Sequence, residues 1–483
     1  MRRIPMPLLL LAVALGALIG SNTLSNRLHQ DLGEVATDSS ALPGVGTPLI
    51  STLRLRDILT PSLTEPDFST TLDDLMATAP AAACLTVTGD NRVTPIYESG
   101  TNIQVAPSEA LILTTLATAH KVLGPDHTFT TSVKSTVPME RGVVNGDIYL
   151  VGGGDPLLLT EAFRATLTEE QNPLHTPIEN LAQLLVDNGL TLVTGAVVGD
   201  TSRYDDLRYV PTWPQPLIES KKIGTLLALQ FSDGWLQEQV TEGVYLAAED
   251  PPFYAAALFD DMLEDRQVVI RVSPRSEAIP EDGESYELAS IKSEPLSDLY
   301  QQILTNRDIE TIELLLKEIG LAVSETGSTS AGLQAVMDTL DNAGVDADRS
   351  QLVQFDGSGI DPANMATCPA FASLLQNQEF SPLFHELLPT GADDGPLRER
   401  LAGTREPGRI TALAGGTSGT AVIMGYIDIG LDQEVTFVFM ANQPGTDDNR
   451  AVRDLGDRIV RHLSTLEAVQ SLDDIDLEPI RRG

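Results

Sequence analysis

From Pro107 to Pro125 the chain reads PSEALILTTLATAHKVLGP. Proline presets a helical φ at the start, and Gly124-Pro125 ends the run, so the pattern predicts one long apolar helix. A helix with so few polar positions has to be packed against other elements. The 483 residues and 42% hydrophobic content are enough for that packing, in roughly two to four domains. The charge is less ordinary: 31 Lys+Arg stand against 69 Asp+Glu, a formal net charge of -38. Phosphate binding needs basic patches, so nucleic acid is disfavoured as a partner, and so are anionic lipid surfaces. The same acidity gives a solvated, aggregation-resistant surface.

Two cysteines, Cys84 and Cys368, occur without a CxxC spacing, which excludes a thiolate metal cluster. They either pair or stay free and buried. The six histidines form no HExxH or HxH pattern, so no metal site and no cofactor are expected. Arg2 and Arg3 precede an apolar run from Leu8 to Ile19, of signal-peptide length and short for a membrane span. Residues 1–21 therefore read as a signal peptide, with cleavage near Ala17 to Ser21, or as an uncleaved anchor, and the protein as exported to the cell envelope, in the periplasm or wall. Residues 22–66 read as a flexible acidic tether and residues 466–483 as an acidic tail.

Between these, Ala81 to Tyr97 reads as two strands joined by a Gly-Asp-Asn turn. From about 135 to 285 short strands and glycine turns alternate with helices, a mixed α+β region. Ile309, Ile312, Leu315, Leu316 and Ile319 follow the period of a packed helix. ITALAGGTSGTAVIMGYIDI and QEVTFVFMANQP read as a strand hairpin, followed by a final helix NRAVRDLGDRIVRHL.

Three glycine-rich spots invite over-reading. Gly152-Gly153-Gly154-Asp155 lacks the Lys and Ser/Thr of a P-loop, and Gly416 to Gly419 is one residue short of a nucleophile elbow. Asp356-Gly357-Ser358-Gly359 has no histidine context. All three read as structural turns. Ser108 is better placed, at the start of the apolar helix. It is either an N-cap or an oxygen nucleophile favoured by the helix dipole.

These segments together resemble the serine D-alanyl-D-alanine carboxypeptidase/endopeptidase family, the low-molecular-mass penicillin-binding proteins with an inserted region. The resemblance rests on VAPSEALILTTLATAHKVLGPDHTFTT, GDIYLVGGGDP, GAVVGD, the Pro211-x-Trp213-Pro214 turn, FDGSGID with Asn364 downstream, and LLPTGADDGPLRERLAGT. It implies an α/β (α+β) penicillin-binding/β-lactamase-like fold, an antiparallel sheet covered by helices. That domain would be assembled from 67–134 plus 286–465, with 135–285 inserted.

The family's chemistry uses Ser-x-x-Lys, Ser-x-Asn and Lys-Thr-Gly. The resemblance implies that the first motif reads Ser108-Glu109-Ala110-Leu111 here, with leucine where the base should be. The second reads Arg307-Asp308-Ile309 and the third Leu413-Ala414-Gly415. Ser108 and Gly415 are the motif residues that remain, and Gly415 lies beside the strand N–H of the oxyanion hole. Leu111, Ile309, Leu413 and Ala414 are apolar or small together, as expected of a polar network repacked as core. Arg307 is a new cation, either exposed at a helix start, paired with Glu109, or holding a ligand carboxylate. His120 and Lys121 lie roughly 18 Å along the helix from Ser108, and Glu109 is expected on another helix face.

Losing a nucleophile's base costs on the order of 10⁴ to 10⁶ in rate. The expected function is therefore a catalytically degenerate relative, exported, that binds peptidoglycan stem peptides or a wall-enzyme partner. The alternative is an active serine carboxypeptidase in which Ser108 uses a non-standard base.

Overall fold

The computed structural model describes residues 65–467, apart from 90–94, 168–173, 220–222, 237–245, 346–350, 394–395, 405, 418, 444 and 447. The expected signal or anchor and nearly all of the tether and tail lie outside the described residues. Those described belong to one compact unit, Leu63–Gly483.

The chain begins with helix α1 (Glu65–Met76) and strands β1 (Ala82–Gly89) and β2 (Tyr97–Ser99). A 3-10 turn, Ser108–Ala110, runs directly into α2 (Leu111–Val122). Then come β3 (Thr130–Ser135), β4 (Ile148–Val151), α3 (Ile178–Asp187), β5 (Val197–Asp200), α4 (Pro251–Asp265), β6 (Arg275–Ser276) and β7 (Tyr286–Lys292). The helical layer continues with α5 (Leu296–Asn306), α6 (Ile309–Ser324), α7 (Thr329–Asn342) and α8 (Cys368–Gln376). Last are β8 (Ile410–Gly415), β9 (Thr420–Gly430), β10 (Gln433–Asn442) and α9 (Arg450–Leu463).

The main sheet has the order β8-β9-β10-β1-β2, every neighbour antiparallel. Its strands alternate between two apolar faces, as a period of two requires. Leu85, Val87, Ile423, Phe437 and Phe439 face α1 and α9, against Leu72, Leu455 and Ile459. Cys84, Leu413, Met424, Val438 and Met440 face the opposite layer, built on α2 with Leu315, Leu316 and Phe371 around it. The result is the expected antiparallel sheet covered by helices on both sides. α2 is buried from Leu111 to Ala119, which accounts for its near-continuous apolar sequence.

A second sheet, ordered β6-β5-β4-β3-β7, mixes parallel and antiparallel pairs and has its own core under α3 and α4. It takes in Thr130–Ser135 and Tyr286–Lys292, which pair antiparallel. Cys84 and Cys368 form a disulfide, their Cα atoms 5.8 Å apart, tying β1 to the first residue of α8.

Candidate active site

Ser108 lies at the junction of α2 with the main sheet. It is 4% exposed and has a left-handed backbone, φ 48°. An L-residue pays roughly 1–2 kcal/mol for that conformation, so its surroundings must hold it. The loop Asp356–Gly359 does so. Gly359 has φ +83°, and a Cβ there would stand 1.8 Å from the Ser108 carbonyl oxygen, so only glycine allows this approach. The loop is itself fixed by Asp356, which accepts from Gly359 N, Asp361 N, Asn364 Nδ2 and Trp213 Nε1. Glu313 on α6 accepts from Gly357 N and Ser358 N. Burial, with the nearby Asp356 charge, pushes the Glu313 carboxyl up to about 8, so it carries a proton at neutral pH.

The expected N-cap role of Ser108 is corrected: the cap residue of the turn is Pro107, with no side-chain cap bond. Ser108 Oγ instead donates to Glu109 Oε2 at 2.6 Å. The expectation that Glu109 faces away is corrected for the same reason. It assumed regular α-helix spacing, whereas these residues form a 3-10 turn opened by a left-handed serine.

Glu109 is 9% exposed and sits at the centre of the site. Its Oε2 also accepts from Gly416 N at 2.8 Å, and its Oε1 from Arg307 Nη1 at 3.2 Å. Arg307 Nη2 donates to the Ala414 carbonyl at 2.9 Å. The carboxylate thus spans from the serine to the edge of β8. A Cβ on Gly415 would lie 2.6 Å from Glu109 Oε2, so this glycine makes room for the carboxylate. Arg307 is the left-handed C-cap of α5, φ 53°, and Asp308 is the N-cap of α6, accepting from Thr311 N. The sharp turn between the two helices aims the guanidinium back at β8. Arg307 forms the expected ion pair with Glu109.

Leu111 and Leu413 are buried in the same core beneath the site. Ile309 packs elsewhere, on the cluster around Trp213 and Leu314 from the second sheet's side, and Ala414 lies partly buried on the opposite sheet face. These four residues, expected to be repacked together as core, therefore do not form one patch. Glu109 is the residue that sequence reasoning placed wrongly, although the pairing of Arg307 with it was among the expectations.

Among the described residues Ser108 Oγ bonds to Glu109 and to no lysine or histidine. Lys121 pairs with Glu379, and Lys317 is held by Asp205 and two carbonyls. Beside Arg307, Glu310 accepts from Gly224 N, and burial with the Asp308 charge pushes its carboxyl up to about 7. Asp260, Asp261 and Glu264 on α4 bring carboxylates close together, an arrangement common without an ion.

The site contains a serine, a carboxylate in hydrogen-bond contact with it, a guanidinium and a strand-edge N–H. Oxyanion stabilisation requires N–H groups free to meet developing charge. Here the Gly416 N–H already meets Glu109. In this arrangement one oxygen, Glu109 Oε2, accepts from both the serine hydroxyl and that N–H.

Comparison with known proteins agrees with the architecture. A D-alanyl-D-alanine carboxypeptidase of an Actinomadura species is 26% identical over 432 residues, 74% of this chain and 76% of that protein. Carboxypeptidase DacB of Mycolicibacterium smegmatis is 23% identical over 450 residues, 90% of this chain and 92% of the relative. Penicillin binding protein 4 (dacB) from Haemophilus influenzae has the same fold. It superposes with a TM-score of 0.67 at 18% identity, covering 81% of this chain and 99% of its own. Residues 68–242 and 229–463 match the sequence profile of the D-Ala-D-Ala carboxypeptidase 3 (S13) family, and the chain belongs to that family.

Proposed function

We propose that this protein is a catalytically silent relative of the D-Ala-D-Ala carboxypeptidases that works in the cell envelope by binding peptidoglycan or a wall enzyme. One observation carries the reading: the Glu109 carboxylate takes the Ser108 hydroxyl, the Gly416 N–H and the Arg307 guanidinium together. The serine site is thereby liganded by its own chain. A substrate carbonyl would have to displace a carboxylate held by a cation and two hydrogen bonds. The absent motif lysines, with Leu111 and Leu413 in their places, support the same reading. Export is supported by the buried Cys84–Cys368 pair, since such bonds persist in oxidising compartments.

A second reading has an observation of its own. The 2.6 Å contact from Ser108 Oγ to Glu109 is short enough for a general base. In that reading Glu109 takes the serine proton after rotating off Gly416. The two readings separate on a stem pentapeptide. Purified protein is expected to release no D-Ala above background. Release that disappears in both Ser108→Ala and Glu109→Gln would establish the second.

A further inference from the structure

The loop that presses on Ser108 is fastened by two carboxyl groups, Asp356 and Glu313, both wholly buried. Their surroundings differ. Asp356 accepts from four donors, Gly359 N, Asp361 N, Asn364 Nδ2 and Trp213 Nε1, which suits an ionised carboxylate. Glu313 Oε1 accepts from Gly357 N at 3.0 Å and Ser358 N at 2.8 Å, and its Oε2 has no partner. The Ser358 hydroxyl stands beside this carboxyl and is 3% exposed, so a proton on Oε2 has an acceptor next to it.

The charged groups around Glu313 favour that proton. Asp356 faces it from the loop, and Lys317 lies one turn further along α6. Lys317 is already held by Asp205 and by the Leu207 and Leu226 carbonyls. Of the helices packed on α6, α2 carries His120 and Lys121 in its last turn, α5 carries Asp298 in its first, and α7 carries Asp338 and Asp341 in its second half. From α2 the loop itself meets a hydroxyl, Thr115 Oγ1, which donates to Gly357 O. Two buried carboxylates on one short loop, with no cation bonded to either among the described residues, are held together by keeping one proton.

We propose that Glu313 is a proton-operated latch on the serine site: protonated, it keeps the loop against the Ser108 carbonyl, and ionised, it releases the loop and with it the Ser108–Glu109 contact. Without Gly359 pressed on it, Ser108 has no brace for its φ of 48° and relaxes, drawing Oγ off Glu109. The direction follows from linkage. In the closed loop Glu313 holds its proton up to about pH 8, whereas a released carboxyl ionises at its ordinary 4.5. Opening therefore rises about tenfold per pH unit between those limits and levels off above them. The latch rests on the self-liganded serine proposed above, but it is read by amide exchange. A penicillin adduct would overturn the silent site and leave the exchange of the loop as it is.

The test is hydrogen–deuterium exchange of the full chain at pH 6, 7 and 8, corrected for the intrinsic pH dependence of amide exchange. Peptides covering Gly357–Gly359 and Ser108–Ala110 are expected to lose protection together, about tenfold per pH unit, and to stay less protected than β10 at every pH. Glu313→Gln keeps an oxygen for the two N–H groups and cannot ionise, so its loop protection is expected to be independent of pH. The wild-type comparison stands whether or not that variant folds. Protection independent of pH in the wild type, loop release without a change at Ser108–Ala110, or equal protection of the loop and β10 would each overturn the inference. So would an unaltered pH dependence in Glu313→Gln.

Discussion

Two close approaches hold the serine site together. Gly359 presses on the Ser108 carbonyl, and Gly415 leaves room for the Glu109 carboxylate. Gly359→Ala places a side chain at positive φ and inside that contact. The variant is expected to lose about 2–4 kcal/mol in urea unfolding. A change below about 0.5 kcal/mol would show that the loop does not brace Ser108. Arg307 acts more weakly, because its side chain is 40% exposed and solvent screens its pairing with Glu109. Arg307→Ala is expected to cost about 1 kcal/mol by the same measurement, since Glu109 keeps its contacts to Ser108 and Gly416. The left-handed serine could not be read from local sequence. Nothing next to Ser108 marks a positive φ, and the loop that imposes it comes from a distant part of the chain.

At the scale of elements, the helices and strands that carry clear periodicity were readable. α2 announced itself by its apolar run and its Pro and Gly boundaries, and the two late apolar segments read as strands, although the expected hairpin is three strands because the first segment folds into both β8 and β9. The joints between elements were not readable, because they depend on contacts between segments. The turn from α5 to α6 aims Arg307, and Ile309 finds its partners in residues from the second sheet's side. α6 also carries Glu310 and Glu313, which burial raises from an ordinary 4.5 to about 7 and about 8. The folded chain thus keeps protons that the unfolded chain has released. Their stabilising contribution is complete below about pH 4.5 and is lost as the pH rises through 7 to 8. Glu313→Gln should flatten this fall, so the stability difference between wild type and variant should change across that window. A difference independent of pH, measured by chemical denaturation at several pH values, would contradict the assignment. The bond from β1 to α8 closes a separation of 284 residues that spacing alone did not resolve. The Cys84→Ala/Cys368→Ala chain is expected to lose about 2–4 kcal/mol. An unchanged urea midpoint would show that the link is dispensable.

The whole molecule keeps the architecture of its family, and the proposed silence of its serine site rests on Glu109 holding Ser108, Gly416 and Arg307. The -38 charge fits this picture, since an acidic surface does not draw in substrate carboxylates, and Arg307, the cation at the site, is already engaged. The fold could be recognised from ordered segments along the chain, and two of them meet directly where Trp213 donates to Asp356 behind Ser108. The contacts of Glu109 could not be recognised in the same way. It depends on the direction of one glutamate side chain, which a change from α to 3-10 geometry reverses. The claim that the site is silent is tested most directly by incubating the purified chain with a fluorescent penicillin and reading the intact mass. The account predicts no covalent adduct. A stoichiometric adduct that Ser108→Ala abolishes would contradict it.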